Sequence, residues 1–279
     1  MTAPAAIAGA RAVGGFSLIE LAIVLTLIGI LLGGVFGVAS DYLAAENREI
    51  TAARLEAIEE ALVLYASRNK RLPCPADGTA AEGTAADGVP DPSGETETCS
   101  AGDEFSVVPW RALGMEPEAT RDGFGRRITY RVFDGADGLT DTDGMDMSAC
   151  EAAAEESGSP EPECTAGISP VDFLRDKGLT VDDPDGNAIV DPGSPEAGGG
   201  AAFVLVSHGN DGAGAYTRGG TRIALAPAGQ ADQRENTDMD DTFVLGGLNA
   251  AEGTNAYFDD IVTAPTIHEI ASRAGLGPQ

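Results

Sequence analysis

From Phe16 to Ser40 the chain is apolar apart from Glu20, and the twenty residues from Leu21 to Ser40 carry no charge. About 20 apolar helical residues, rising ~1.5 Å each, cover the hydrocarbon core of a bilayer, so the run predicts a single transmembrane span over 16–40. The pattern then changes. From Asp41 to Lys70 there is no Pro or Gly, and Thr51, Leu55, Ile58, Leu62 and Tyr65 recur at 4-3-4-3 spacing, one stripe of a helix. Arg54, Glu56, Glu59, Glu60 and Arg68 fall largely off that stripe, and Pro73 and Pro75 close the element. One helix from about Ser17 to Asn69 is expected, ~80 Å long at the standard rise. Its first half is apolar all round, and its second half, over 41–72, is amphipathic.

Beyond Pro75 the pattern shortens to strands. Arg126–Val132 alternates like a half-buried strand, and Ala201–Ser207 is a nearly continuous apolar run that reads as a central strand buried on both faces. Thr221–Ala226 and Thr242–Leu245 are expected to supply two more. The stretches 77–100, 134–170 and 181–200 are rich in Gly, Asp, Pro, Ala or Thr and read as a surface loop and two insertions. Three or four antiparallel strands laid across the second half of the helix would bury Leu55, Ile58 and Leu62. The expectation is an α+β fold: a long N-terminal helix, transmembrane then amphipathic, packed on a small antiparallel sheet with long loops. Residues 73–279 would form one head.

Glu20 calls for a partner, because an ionisable group at the start of a lipid-facing segment is costly and usually functional. Residues 1–15 hold one charge, Arg11, and end in Gly14-Gly15. A secretory signal peptide is cut at small residues after its apolar region. Here the small residues come before it, so cleavage after Gly15 would keep the hydrophobic segment and begin the mature chain at Phe16. The Glu20 carboxylate of one subunit would then pair with the Phe16 amine of a neighbour. Gly15-Phe16-Ser17-Leu18-Ile19-Glu20-Leu21 resembles the class III signal of type IV pilins and type II secretion pseudopilins. The resemblance implies a leader over 1–15, cleavage by prepilin peptidase between Gly15 and Phe16, N-methylation of Phe16, and Glu20 neutralising the neighbour's terminus during assembly. Two departures stand out. The leader has a single basic residue, and Gly29, Gly33, Gly34 and Gly37 occupy an apolar segment where the family often has a proline.

Charge and cysteines narrow the setting. Lys plus Arg is 17 against 45 Asp plus Glu, a net −28 that disfavours nucleic acid and anionic headgroups. Arg68-Asn69-Lys70-Arg71 and Arg126-Arg127 are the densest basic stretches, too short to reverse this. Cys74, Cys99, Cys150 and Cys164 all lie beyond the apolar run, an even number that suits two disulfides in an oxidising compartment. Of three possible pairings, Cys74–Cys99 and Cys150–Cys164 each close an irregular loop with little core of its own. Zinc is the competing reading, weakened by the absence of CxxC and by having only His208 and His268.

Calcium is the expected cofactor, since it takes six to eight oxygens from carboxylates and carbonyls on glycine-rich loops. Asp134, Asp137, Asp141, Asp143 and Asp146 place five carboxylates in thirteen residues, without the EF-hand pattern. Asp211 with Asp238, Asp240 and Asp241 is a second candidate, assembled from separate loops; solubilising acidic turns are the alternative for both. Asp122-Gly123-Phe124-Gly125 through Tyr130 and Ser207-His208-Gly209-Asn210-Asp211-Gly212 are similar to the entry strand and calcium loop of pseudopilin heads, with stretched spacing. Catalytic signatures such as GxSxG, GxxxxGK and HExxH are absent, and Ser207 beside His208 lacks an evident third group. The resemblance therefore implies a structural subunit, not an enzyme. It would be held in the bacterial inner membrane by one span, with a periplasmic head, before joining a periplasmic or surface filament. The partners would be prepilin peptidase, other subunits and an inner-membrane assembly platform. A tip adhesin binding through the head insertions and a membrane-anchored hydrolase are the contrasting readings.

Overall fold

A computed structural model describes residues 17–91, 99, 106–134, 137–238, 240–249 and 256–278, with the backbone alone for 31–41. Residues 1–45 and 46–279 form two compact units, each taken by itself below. Helix α1 runs Leu18–Asn69. Its start is capped by Ser17, whose Oγ accepts the Glu20 N–H at 3.2 Å.

The larger unit is built on a five-stranded antiparallel sheet. Its strands are β1 (Ala76–Asp77), β2 (Ser106–Val107), β3 (Thr129–Val132), β6 (Phe203–Ser207) and β8 (Ile261–Thr263), adjacent in that order. Short helices α2 (Trp110–Leu113), α3 (Pro170–Leu174), α4 (Ala231–Asp238) and α5 (Ile267–Arg273) lie between and after the strands. β3 and β6 form the centre of the sheet, pairing Thr129 with Val206 and Val132 with Phe203. Along β6 the side chains alternate between two cores, as the pleat requires. Phe203 and Leu205 join Tyr130 and Val132 of β3 against Leu55, Ile58, Leu62 and Ala66 of α1. Val204 and Val206 face the other way, onto Leu179, Val181 and Phe243. That second core belongs to a three-stranded sheet in the order β5 (Ala188–Val190), β4 (Thr180–Asp182), β7 (Thr242–Val244). It explains why the whole of β6 is buried.

The α+β architecture agrees with the sequence, and several local expectations are corrected. Ala66, not Tyr65, extends the buried stripe of α1; Tyr65 is half-buried. Thr221–Ala226 forms no strand, because Gly219 and Gly220 turn the chain back and only Arg222 makes an isolated bridge, to Tyr216. Thr242–Val244 is a strand, but it pairs in parallel with β4 and leaves the main sheet alone. The 181–200 stretch carries β5 and the end of β4, while Leu139, Met145, Met147 and Cys150 of the 134–170 stretch enter the main core. Disulfides join Cys74 to Cys99 and Cys150 to Cys164, with Cα–Cα separations of 5.5 and 4.6 Å.

One seat fixes the Asp122–Arg127 turn on α1. Thr51 donates its hydroxyl to the Asn47 carbonyl at 2.7 Å and accepts the Gly123 N–H at 2.9 Å. Arg54 Nη1 donates to the carbonyls of Arg121 and Asp122, both at 3.0 Å. A Cβ on Gly123 would stand 2.1 Å from the Asn47 carbonyl oxygen, so the approach is open to glycine alone. Burial predicts the energetics. Ile58→Ala, at a fully enclosed position, should cost about 2–5 kcal/mol. Leu64→Ala, on the 50 % exposed opposite face, should change stability by about 0.5 kcal/mol or less. Denaturant midpoints of the two variants check this.

Candidate functional site

Gly15 and Phe16 lie outside the described residues, so the cleavage expectation has no structural counterpart here. The first helical turn beyond them is described. Ser17 and Glu20 stand three apart across it, the spacing of a capping box, with the Glu20 carboxylate exposed at the positive end of the helix. Around it the apolar side chains are uncovered: Leu18 is 88 % exposed and Ile30 68 %. An apolar surface of this extent marks a contact with another protein or a membrane. Among the described residues no helix is long and apolar enough to cross a membrane, and of the expected 16–40 span the side chains of 31–40 lie outside the description.

The first acidic cluster does not converge. Asp134 pairs with Arg131 at 3.2 Å, and Asp143 and Asp146 both face Lys70 Nζ, at 3.8 and 2.6 Å. Asp141 accepts the Gly138 N–H, and Asp137 sits in a left-handed turn at φ 59°. Burial pushes the Asp146 carboxyl up, but hydrogen bonds from Lys70 and Ser148 outweigh it and hold the group below its usual range. Lys70 and Arg131 thus answer three of the five charges.

The second cluster divides. Asp241 goes to Arg131 at 2.9 Å. Asp211 accepts from the Ala213 N–H and from Gln233 Nε2, both at 2.9 Å. Asp238 and Asp240 meet Glu235, and the three carboxylates lie within 4.8 Å of one another, the one such group able to hold a metal among the described residues. Burial first, then the charges of Asp238 and Asp240, pushes the Glu235 carboxyl up. Sequence reasoning omitted Glu235, although its i, i+3 spacing from Asp238 on helix α4 puts both on one face.

A buried polar cluster lies behind the Ser207–Gly214 loop in the larger unit. Asp122 accepts from the N–H groups of Phe124 and Arg126, at 3.0 and 2.8 Å, and from Ser207 Oγ at 2.9 Å. His208 turns the other way and meets Thr129 Oγ1 at 2.9 Å through Nε2. Two amides of α4 hold consecutive acids: Gln233 donates to Asp259 at 3.2 Å, and Asn236 to Asp260 at 2.9 Å. Asp259 also takes the N–H groups of Asn210 and Asp211 and the Tyr257 hydroxyl. Burial raises Asp122, Asp259 and Asp260 above the usual carboxylate range, Asp260 the most. The signal for Asp259 and Asp260 was available in the sequence, as two acids set between Phe258 and Ile261.

Thr129, His208 and Asp260 follow one another in the order of a nucleophile, a base and an orienting acid. The Thr129 hydroxyl belongs to a fully enclosed residue in the middle of the sheet, and His208 is enclosed as well. A nucleophile must reach its substrate, so this chain of groups serves the fold. Ser207 and His208 bond to opposite sides and do not pair.

With this geometry established, residues 10–36 match the family model of the prokaryotic N-terminal methylation motif. The match supports the class III signal of type IV pilins and pseudopilins at Gly15–Leu21, and with it a type IV pilin-like or pseudopilin subunit. Such a signal implies processing by prepilin peptidase and assembly with other pilin subunits; proteins with it are normally structural. No curated protein and no solved structure matches the chain.

The Asp122 carboxylate should be a strong point of the head. Asp122→Ala removes the acceptor of one buried donor, Ser207 Oγ, at about 1–3 kcal/mol when left unsatisfied, and of two part-buried N–H groups. A lowered melting temperature and loss of amide protection at Phe124 and Arg126 are the expected results, read by calorimetry and hydrogen exchange.

Proposed function

We propose that the chain is a structural subunit, of the minor kind, in a type II secretion pseudopilus or a type IV pilus. The observation that carries this is the methylation motif over residues 10–36. In this reading prepilin peptidase cuts between Gly15 and Phe16 and methylates Phe16, and the 16–40 segment holds the precursor in the inner membrane. The exposed apolar side chains of α1 from Leu18 to Ile30 then become contacts between subunits. In this reading Glu20, in the first helical turn and four residues from Phe16, pairs with the terminal amine of a neighbouring subunit. A buried or half-buried pair of this kind directs register, because a carboxylate left without its partner in an apolar bundle is heavily penalised. The size of the head supports a minor role.

Intact mass and N-terminal sequencing of membrane-extracted protein, with and without the peptidase, test the reading. A mature chain starting at N-methylated Phe16 is expected; a chain that keeps residues 1–15 in the presence of the peptidase sinks it. Glu20→Ala should still be cleaved, yet recovery of the subunit in sheared filaments should fall at least tenfold.

A further inference from the structure

The loop after β6 closes on the start of β8 around side chains sealed from solvent. The His208 ring and the Asp260 carboxyl are both fully enclosed. Each has one satisfied side: His208 Nε2 meets Thr129 Oγ1 at 2.9 Å, and Asp260 Oδ2 accepts from Asn236 Nδ2 at 2.9 Å. The remaining atoms, His208 Nδ1 and Asp260 Oδ1, lack a hydrogen-bond partner and lie 3.8 Å apart. Two enclosed polar atoms left facing each other unpaired are rare in folded proteins. At 3.8 Å they are too far apart to be hydrogen-bonded as they stand; a proton on one of them, with the two closing by about 1 Å, would satisfy both.

We propose that His208 and Asp260 form a one-proton latch, in which Asp260 is a neutral acid donating to Nδ1 of a neutral imidazole whose Nε2–H donates to Thr129. The latch ties β3, the Ser207–Gly214 loop, the entry to β8 and, through Asn236, helix α4. Every charged group acting on it favours this arrangement over an ion pair. Arg126 and Arg222 oppose a positive His208, and Asp259 and Asp211 oppose a negative Asp260. Burial is the larger cause in both, taking His208 down to about 3 and Asp260 well above its ordinary range.

The latch has a distinctive proton count. Between the ordinary values of 3.8 for Asp and 6.5 for His, the unfolded pair also binds one proton, on histidine, so folding neither takes up nor releases one. Above 6.5 the unfolded histidine loses its proton while the native acid keeps its own, so the stability contributed by the pair falls as pH rises towards the native Asp260 value. Asp260→Asn leaves only the depressed histidine. Its contribution is then lost as pH falls from 6.5 towards 3 and is flat above 6.5.

The test uses the full chain in detergent. Melting temperature is followed from pH 4 to 9 for the wild type and Asp260→Asn, with hydrogen exchange read at 207–214 and 231–238. Taken as the wild type minus Asp260→Asn, stability should fall as pH rises from 4 through 6.5, and onward until the native Asp260 loses its proton. No difference in slope between the two proteins would overturn the latch. Proton count alone does not say which atom holds the proton. Nitrogen NMR of the wild-type imidazoles supplies that, and needs no variant to fold. A neutral His208 at pH 5.5, with Nδ1 unprotonated and Nε2 carrying hydrogen, is expected. An imidazolium there, or a neutral ring with hydrogen on Nδ1, would overturn the proposal.

Discussion

Everything in the head rests on strand β6 being buried from both sides. On one side Phe203 and Leu205 complete the core that covers the Leu55–Ile58–Leu62–Ala66 stripe of α1; on the other Val204 and Val206 meet the small sheet of β4, β5 and β7. Burying an apolar side chain of this size is worth about 1.5–3 kcal/mol, and all five residues of the strand are buried. It also fixes the register, since a one-residue slip would send each side chain into the wrong core. The polar groups at the C-terminal end of β6 exist on these terms. Ser207 and His208 can hold Asp122 and Thr129 because the strand before them cannot move.

The charged groups follow a related logic. A chain with 45 acids and 17 basic residues must spend its cations where they matter. Arg131 bridges Asp134 and Asp241, Lys70 faces Asp143 and Asp146, and Arg127 meets Asp87 in the interior. Where cations run out, amides take over, as Gln233 and Asn236 do for Asp259 and Asp260. The five-aspartate stretch therefore reads differently in space than along the chain: three of its carboxylates are tethered, to two separate cations.

How much of this was legible in the sequence depended on whether burial was apolar. The stripe of α1 and the run of β6 were readable because hydrophobic periodicity reports apolar contact and nothing else. The methylation motif was readable because its residues are contiguous. Helix α4 escaped notice for the opposite reason: its buried residues are Gln233, Asn236 and Thr237, so its inward face looks like a loop. The strand expected at Thr221–Ala226 failed because Gly219 and Gly220 turn the chain back, which alternation of apolar residues further on does not report. Asp122, Asp259 and Asp260 are plain to see as residues, but their side-chain partners on other elements lie 24 to 85 positions away.

The Thr51–Gly123 seat has a mechanical meaning. Within residues 46–69, the helix is attached to the sheet by contacts spaced along its length: the Asn47–Gly123 approach, the Arg54 bonds to Arg121 and Asp122, and the apolar stripe as far as Ala66. A pull along the helix axis would load these contacts together, in shear, and the head could not be peeled away one bond at a time. The attachment resembles a riveted seam more than a hinge, and its strength would grow with the number of turns engaged.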